Sequence, residues 1–503
     1  MREVRIYNTL GGHLVPLRPL SPPRVSMFVC GITPYKPSHI GHARAAIVYD
    51  VVAKFLRRVG YHVFYLQNVT DIDDKILRTA TEEGRDWHTV SEENFESYLR
   101  AMQHLHVDSV NFYARCTDYI AEIIEQVRTL IEKGHAYASG GDVYYDVGTF
   151  PAFGALSGQR LEMLEAGVRV EVNPNKRSPE DFALWKGEKL GPRWSSPWGE
   201  GRPGWHIEDT AIAVNILGPR YDIHGGGMEL KFPHHEAEIA QAEAATGKAP
   251  LASIWMHHNM LNMRGEKMSK SLGNVVSLDA TLRRVSPEVL RYFLLSAHYR
   301  SPLDYAGEES LEEARRSLQT LQVVYARLRA QAEESLGGTF PREVQPTPGS
   351  RVYVRDLAEW IELVPRIYMA DPEHQRGDRV EEDMMTALAN DFSVREATAS
   401  LFSFASEVHA LLESRGPSLR EEELASLVRP FVLATEVLGY FPREGTSGSN
   451  APLAAAIELV IEARARAKEH KDFAEADRIR KTLSEAGIEI EDTGRGTRWR
   501  IRS

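Results

Sequence analysis

Val25-Ser26-Met27-Phe28-Val29-Cys30-Gly31-Ile32 is an apolar, partly β-branched run that reads as a buried strand. Pro34, Pro37 and Ser38 break the chain after it. From residue 40 to 59 the apolar side chains Ile47, Val48, Val51, Val52, Phe55 and Leu56 recur at helical spacing. Gly60 closes that helix, and residues 62–69 (His-Val-Phe-Tyr-Leu-Gln-Asn-Val) read as a second strand. Strand, helix and strand within about 45 residues make a βαβ unit, and such a unit implies a parallel sheet with a right-handed crossover.

Outward from this unit the pattern is coarser. Residues 90–135 read as helical, and residues 136–205, rich in Gly, Pro and Trp, contain short strand-like runs such as 141–147. Helical pattern returns at 236–246 and dominates after 287. Residues 337–350, with three prolines, and 442–452, rich in Gly and Ser, read as linkers. Between them lies an amphipathic, helix-only stretch. After them come a helix pair (453–470 and 473–486) and a strand-like tail.

Composition narrows the function classes. The chain has 503 residues, of which 43% are hydrophobic and 26% charged, enough for a sizeable core and about three domains. With 60 Lys and Arg against 71 Asp and Glu the formal charge is −11, which excludes a histone-like polycation but not a local basic surface for nucleic acid. Two cysteines, Cys30 and Cys116, cannot build the disulfide framework of a secreted scaffold. Met1-Arg2-Glu3-Val4-Arg5 is charged where a secretory signal needs an apolar run, and no stretch approaches the ~18 apolar residues of a membrane span. A soluble, cytoplasmic protein without membrane attachment is expected.

Four segments carry chemistry. His39-Ile40-Gly41-His42 stands where the first strand turns into its helix. A helix N-terminus offers unpaired N–H groups to an anion, two histidines at i and i+3 share that face, and Gly41 permits close approach. The plain alternative is a helix start that holds two histidines. Lys267-Met268-Ser269-Lys270-Ser271, flanked by glycines, suits a mobile loop that brings cations onto a developing pyrophosphate, against the alternative of an exposed basic turn. Cys30, His234 and Glu238, with Asp209, are metal-ligand types. His234 and Glu238, four apart, share a helical face, whereas a lone buried cysteine is most often a small hydrophobe. A zinc-protease reading of His235-Glu236 fails because Ile239 replaces the second histidine. Finally, Trp205-His206-Ile207-Glu208 and His224-Gly225-Gly226-Gly227 suggest a pocket wall and a close backbone approach to a ligand; core packing and a tight turn are the plain readings.

In order and over nearly the whole length, these segments resemble the class I cysteinyl-tRNA synthetases. The resemblance is carried by residues 27–44 (MFVCGITPYKPSHIGHAR), 68–75 (NVTDIDDK), 201–208 (GRPGWHIE), 221–227 (YDIHGGG), 232–241 (FPHHEAEIAQ), 265–274 (GEKMSKSLGN), 471–480 (KDFAEADRIR) and 496–499 (GTRW). It implies an α/β chain: a Rossmann-type parallel-sheet catalytic domain over 1–300 with a connective insertion at about 110–205 and the lysine loop at 265–274. A tRNA-binding α-helical bundle (301–440), a linker (441–452) and a small anticodon-recognising domain (453–503) follow.

The activity implied is attack of the cysteine carboxylate on the α-phosphate of ATP with Mg2+, then transfer of the cysteinyl group to tRNA-Cys. Carried over, His39, Gly41, His42, Gly226, Lys267 and Lys270 bind ATP, the two histidines and two lysines being catalytic. Thr70 and Trp205 line the cysteine pocket, and Cys30, His234 and Glu238 fall on a site for one Zn2+ per chain. Zinc makes physical sense there, because pocket shape separates serine from cysteine by only about 1–3 kcal/mol whereas a thiolate-seeking metal does more. Where the family usually has a second zinc cysteine this chain has Asp209, which is expected to ligate through oxygen. Pro34, Lys36 and Glu229 also depart from the pattern. Residues 31–35 are similar as well to the cysteine ligase of mycothiol biosynthesis, which acts on an amino sugar–inositol and lacks the long C-terminal extension. A non-catalytic RNA-binding paralogue is the other alternative. The extension, with Arg495, Arg498, Arg500 and Arg502 around Trp499, favours tRNA, and the chain is expected to act as a monomer.

Overall fold

The computed structural model describes residues 1–159, 173–187, 191–267, 275–335, 342–344, 352–354, 356–364, 376–415, 419–442, 460–461, 464–465, 467–468, 473–485, 488–493 and 496–501. The strand read at 25–32 is Arg24–Ile32, the helix is Ile40–Arg58 and the second strand is His62–Val69. The two strands pair in parallel, as the βαβ reading requires. Arg57 and Arg58 in the last helical turn complement the helix dipole.

Around this unit a five-stranded sheet forms in the order Ala252–His258, Tyr221–Gly227, Arg24–Ile32, His62–Val69, Phe112–Arg115. Every pairing in it is parallel. The chain leaves Arg24–Ile32 toward one edge and returns on its other side at Tyr221–Gly227. The boundary between those two strands is therefore a topological switch point, the place where open parallel sheets bind ligands. Phe112–Arg115 corrects the helical reading of residues 90–135. Only four residues long and half-exposed, it carries too little apolar pattern to show as a strand, and it lies between helices Trp87–His104 and Ile120–Glu132.

Both sheet faces are covered, which is why these strands read as continuous apolar runs. One core joins Met27 and Val29 to Ile47, Val51 and Phe55 of the helix and runs on to Leu318, Leu401 and Phe431. Phe28, Leu66, Ile212 and Trp255 form the opposite face. Between the third and fourth strands of the chain order, an inserted antiparallel sheet takes the order Ala136–Ser139, Asp142–Tyr145, Phe182–Gly187, Gly199–Pro203, Trp194–Ser196.

Four helices, Glu308–Ser335, Arg376–Ala389, Val394–Arg415 and Glu421–Leu433, pack as a bundle. The stretch read as helix-only also holds Val352–Val354, paired antiparallel with Arg342–Val344. A buried ion pair locks the bundle end to helix Ile40–Arg58: Arg291 Nη2 lies 2.9 Å from Asp50 Oδ2, both 0% exposed, and Arg291 Nε donates to the Leu438 carbonyl at 2.8 Å. At the C-terminus, helix Phe473–Glu485 precedes an antiparallel hairpin of Ile488–Thr493 and Gly496–Ile501 whose backbone register pairs position 490 with position 499. The 453–470 helix lies mostly, and the 442–452 linker almost wholly, outside the described residues.

Candidate active site and metal-ligand cluster

The switch point places Cys30, near the end of Arg24–Ile32, beside the glycines that end Tyr221–Gly227, with His224 opposite Phe28 in register. Helix Trp205–Leu217 brings Trp205 and Asp209 to the same place. It starts from Gly204, where a Cβ would sit 1.9 Å from the Ala183 carbonyl oxygen, so only glycine lets the helix enter this close to the inserted sheet. The turn Lys231–His235 and helix Glu236–Thr246 supply His234, His235 and Glu238.

These side chains converge on one sulfur. Cys30 Sγ lies 3.2 Å from His235 Nε2, 3.4 Å from Asp209 Oδ2, 3.5 Å from His224 Nε2 and 3.7 Å from Glu238 Oε1. His234 Nε2 lies 3.1 Å from Asp209 Oδ2 and 2.9 Å from Glu238 Oε1. The result is two groups of donors that could each hold a metal ion, Cys30–Asp209–His234–Glu238 and Cys30–His224–His235–Glu238, with all donors of a group within 4.8 Å of one another. The donor chemistry suits a cation of borderline softness: one thiol, imidazoles and carboxylates, nearly all buried.

Electrostatics point the same way. Burial, and then the Glu238 and Asp209 carboxylates, push the Cys30 thiol up. Burial, and then the neighbouring histidines (His257 and His234 for His224; His224, His257, His234 and His206 for His235), lower His224 and His235, keeping both neutral and able to offer a lone pair. At His234 burial opposes the charged form, but Glu238 and Asp209 outweigh it and lift the imidazole to about 10. Burial raises Glu238, with His234 working against it. A proton on His234 is what this cluster uses to offset its carboxylates, and a metal ion would take over that role.

Supporting contacts fix the donors. Asn68 donates to Asp209 Oδ1 at 2.5 Å and accepts from the Gly31 N–H at 2.6 Å, while its amide reaches Thr70 Oγ1 at 3.4 Å. His206 Nδ1 lies 2.7 Å from His234 Nδ1, and the Trp205 ring stacks on His234 at 4.1 Å. Thr70 is buried and Trp205 is 36% exposed, so the tryptophan forms the outer wall of the cluster.

The helix start expected to bind an anion is that of Ile40–Arg58. His39 occupies the N-cap, and its ring stacks on that of His42 at 3.7 Å between centroids. A Cβ at Gly41 would fall 2.9 Å from His39 Nδ1. At Gly226 a Cβ would meet His235 Cε1 at 2.6 Å, so the bare backbone there lets the strand end and the histidine cluster sit together. Tyr49, one helical face away, receives the Gly226 N–H at 2.6 Å and lies 2.7 Å from the Met256 carbonyl. It thereby ties helix to strand end. The lysine loop begins from Glu266–Lys267, whose backbone pairs with Asn262 and Met263; Lys270 lies outside the described residues. Beyond the loop, Ile40 N–H donates to the Val276 carbonyl at 3.1 Å and His39 bridges Ser277, joining the loop's far end to the helix start.

The structure therefore brings Cys30, Asp209, His234, Glu238 and Trp205 together and sets His39, Gly41 and His42 on one helix start. Sequence reasoning did not include His224 and His235 among the donors. His224 had a signal, an inward position on a strand bounded by glycines, but His235 had none beyond adjacency to His234.

Comparison with known proteins agrees with this geometry. The family described as tRNA synthetases class I (C) catalytic domain matches residues 16–316, and the cysteinyl-tRNA ligase anticodon binding domain matches residues 450–500. Cysteine–tRNA ligases are similar end to end: that of Heliobacterium modesticaldum is 41% identical, covering 99% of each chain. That of Geobacillus thermodenitrificans is likewise 41% identical over 99% of each chain. That of Thermococcus onnurineus is 40% identical, again over 99% of each. In fold, the chain is similar to Mycobacterium tuberculosis methionyl-tRNA synthetase with a TM-score of 0.56 at 16% identity, over 82% of this chain and 89% of that one. It is also similar to an Agrobacterium radiobacter LeuRS with a TM-score of 0.58 at 11% identity, over 84% and 85%. Among the described residues no helix is long and apolar enough to cross a membrane. With a parallel sheet whose switch point joins a thiol–imidazole–carboxylate cluster to a histidine-bearing helix start, and with full-length relatives at about two-fifths identity, the chain belongs to the cysteine–tRNA ligases of the class I aminoacyl-tRNA synthetases.

Proposed function

We propose that the chain activates L-cysteine with Mg-ATP and transfers it to tRNA-Cys, holding Zn2+ at Cys30, Asp209, His234 and Glu238. The observation that carries this reading is the buried convergence of donors on Cys30 at the switch point, beside the His39–His42 helix start. Zinc bound there supplies a soft-sulfur acceptor that lowers the pKa of a thiol, which serine cannot exploit. Trp205 and Thr70 bound the amino acid, and Asn68 keeps Asp209 oriented.

Activation forms a bond between the cysteine carboxylate and the α-phosphorus and breaks the bond to pyrophosphate. The helix N-terminus, His39 and His42 face the negative charge that builds on the phosphates, and Gly226 leaves room for the nucleotide. Lys267 and Lys270 add cationic charge from their loop. In the second step a terminal ribose hydroxyl takes the cysteinyl group and AMP leaves. The anticodon-binding match at residues 450–500 supports tRNA as the acceptor, with the protein acting as a cytoplasmic monomer.

The test is transfer of labelled cysteine to a tRNA-Cys transcript, run beside the amino sugar–inositol acceptor. Charging of the tRNA alone is expected. Activation without tRNA charging would overturn the acceptor, and no activation would overturn the enzymatic reading.

A further inference from the structure

We propose that Cys30, His224, His235 and Glu238 form a second ligand set for the same ion, so that zinc has two overlapping positions in this chain, one through Glu238 Oε1 and one through Glu238 Oε2. The proposal rests on the reading of the cluster as a zinc site given above.

Three observations carry it. The first is distance. Tetrahedral zinc with bonds of about 2.0–2.3 Å places neighbouring donors about 3.3–3.8 Å apart. In the second set Cys30 Sγ lies 3.2 Å from His235 Nε2 and 3.5 Å from His224 Nε2, and His224 Nε2 lies 3.1 Å from Glu238 Oε2. These separations are as close to a coordination tetrahedron as those of the first set.

The second is orientation. A metal-binding imidazole has its other nitrogen held by a neighbour. His224 Nδ1 lies 2.7 Å from the Tyr221 hydroxyl. His235 Nδ1 lies 2.7 Å from His257 Nε2, and His257 Nδ1 in turn lies 2.8 Å from Thr9 Oγ1. Both rings are thus anchored from behind with Nε2 turned toward Cys30.

The third is satisfaction. One S–H proton cannot serve the four polar atoms around Cys30 Sγ, and Glu238 Oε2, in a residue 0% exposed, makes no hydrogen bond even with His224 Nε2 beside it. Donors that face a common point with too few protons to bond one another are arranged for a cation. The aspartate at position 209 sharpens the competition. The first set offers one sulfur, one nitrogen and two carboxylate oxygens, whereas the second offers one sulfur, two imidazole nitrogens and one oxygen, a set better matched to zinc.

The test uses the full-length zinc-loaded protein and its Asp209→Ala variant. X-ray absorption at the zinc edge counts imidazole ligands, competition with a chromophoric chelator gives zinc affinity, and far-UV circular dichroism checks folding. The expected result is an imidazole count above one in the unaltered protein. In Asp209→Ala one zinc per chain is retained, its affinity within tenfold, with two imidazoles. A folded Asp209→Ala variant whose zinc affinity drops more than a hundredfold would overturn the proposal. Should that variant not fold, the unaltered protein decides alone: a count of one overturns the proposal and a count above one supports it. Absence of zinc from the unaltered, reconstituted protein would instead overturn the metal reading on which the proposal rests.

Discussion

Tyr49→Phe removes one oxygen atom and tests how the two halves of the proposed nucleotide site are held together. Tyr49 is fully buried on the helix that begins with His39 and His42, and its hydroxyl receives the Gly226 N–H at 2.6 Å while lying 2.7 Å from the Met256 carbonyl. Phenylalanine fills the same space, so no cavity opens. Two hydrogen bonds worth about 1 kcal/mol each are lost, and the Gly226 N–H is left buried and unpaired at a further cost of about 1–2 kcal/mol. The expected destabilisation is about 2–4 kcal/mol, read from urea unfolding of the transition that reports the catalytic domain. Because Gly226 ends the strand beside the helix start, KM for ATP in pyrophosphate exchange should rise severalfold while KM for cysteine stays nearly constant. A loss below about 0.5 kcal/mol with an unchanged ATP KM would refute the argument that this hydroxyl joins the two elements.

Other perturbations probe the remaining links. His42→Asn should lower the rate of cysteine activation by about 10²–10³ with little change in cysteine KM, since it withdraws a group acting on developing phosphate charge; an unchanged exchange rate would remove His42 from that role. Gly226→Ala should lower zinc affinity and raise cysteine KM, because the new Cβ would lie 2.6 Å from His235 Cε1 within the donor cluster, and a silent alanine would show that the close approach is immaterial. Arg291→Met should cost about 3–5 kcal/mol in unfolding free energy by leaving Asp50 short of its buried cation, although Lys54 Nζ still reaches Asp50 at 2.6 Å; a loss below about 1 kcal/mol would count against it. In the metal-free protein, His234 is raised to about 10, so its contribution to stability is complete below about pH 6.5 and fades as pH climbs through about 10. Zinc must displace the Cys30 proton and, at the first ligand set, the His234 proton, so log affinity should rise with a slope between about one and two per pH unit from pH 7 to 8.5. A flat profile in chelator competition would contradict the proton assignments.

Legibility in the sequence tracked how local each signal was. The strand at 25–32, the helix to residue 58 and the strand at 62–69 were readable because a sheet buried on both faces and a half-buried helix impose different apolar periods on consecutive residues. That His39, Gly41 and His42 share one helix start was readable for the same reason: these residues lie within one turn. Phe112–Arg115 escaped because a four-residue edge strand, half-exposed, needs little apolar pattern and is defined by its pairing with His62–Val69. Of the metal cluster, only the pairing of His234 with Glu238 has a local period. Cys30 meets Glu238 across 208 positions and Asp209 across 179, and no spacing rule links such residues.

Composition, periodicity and short motifs thus suffice for the α/β class, for the first crossover and for residue types suited to phosphate and metal, since each depends on neighbours a few positions apart. The sheet order decides the rest. By returning Tyr221–Gly227 to the free side of Arg24–Ile32 it creates the switch point, and only that return carries His224, and the histidines that follow it, to Cys30. Whether a cysteine is an inert core residue or the centre of five polar side chains is set by which strand lies next to it, because donor geometry is a property of packed elements and not of the chain that links them.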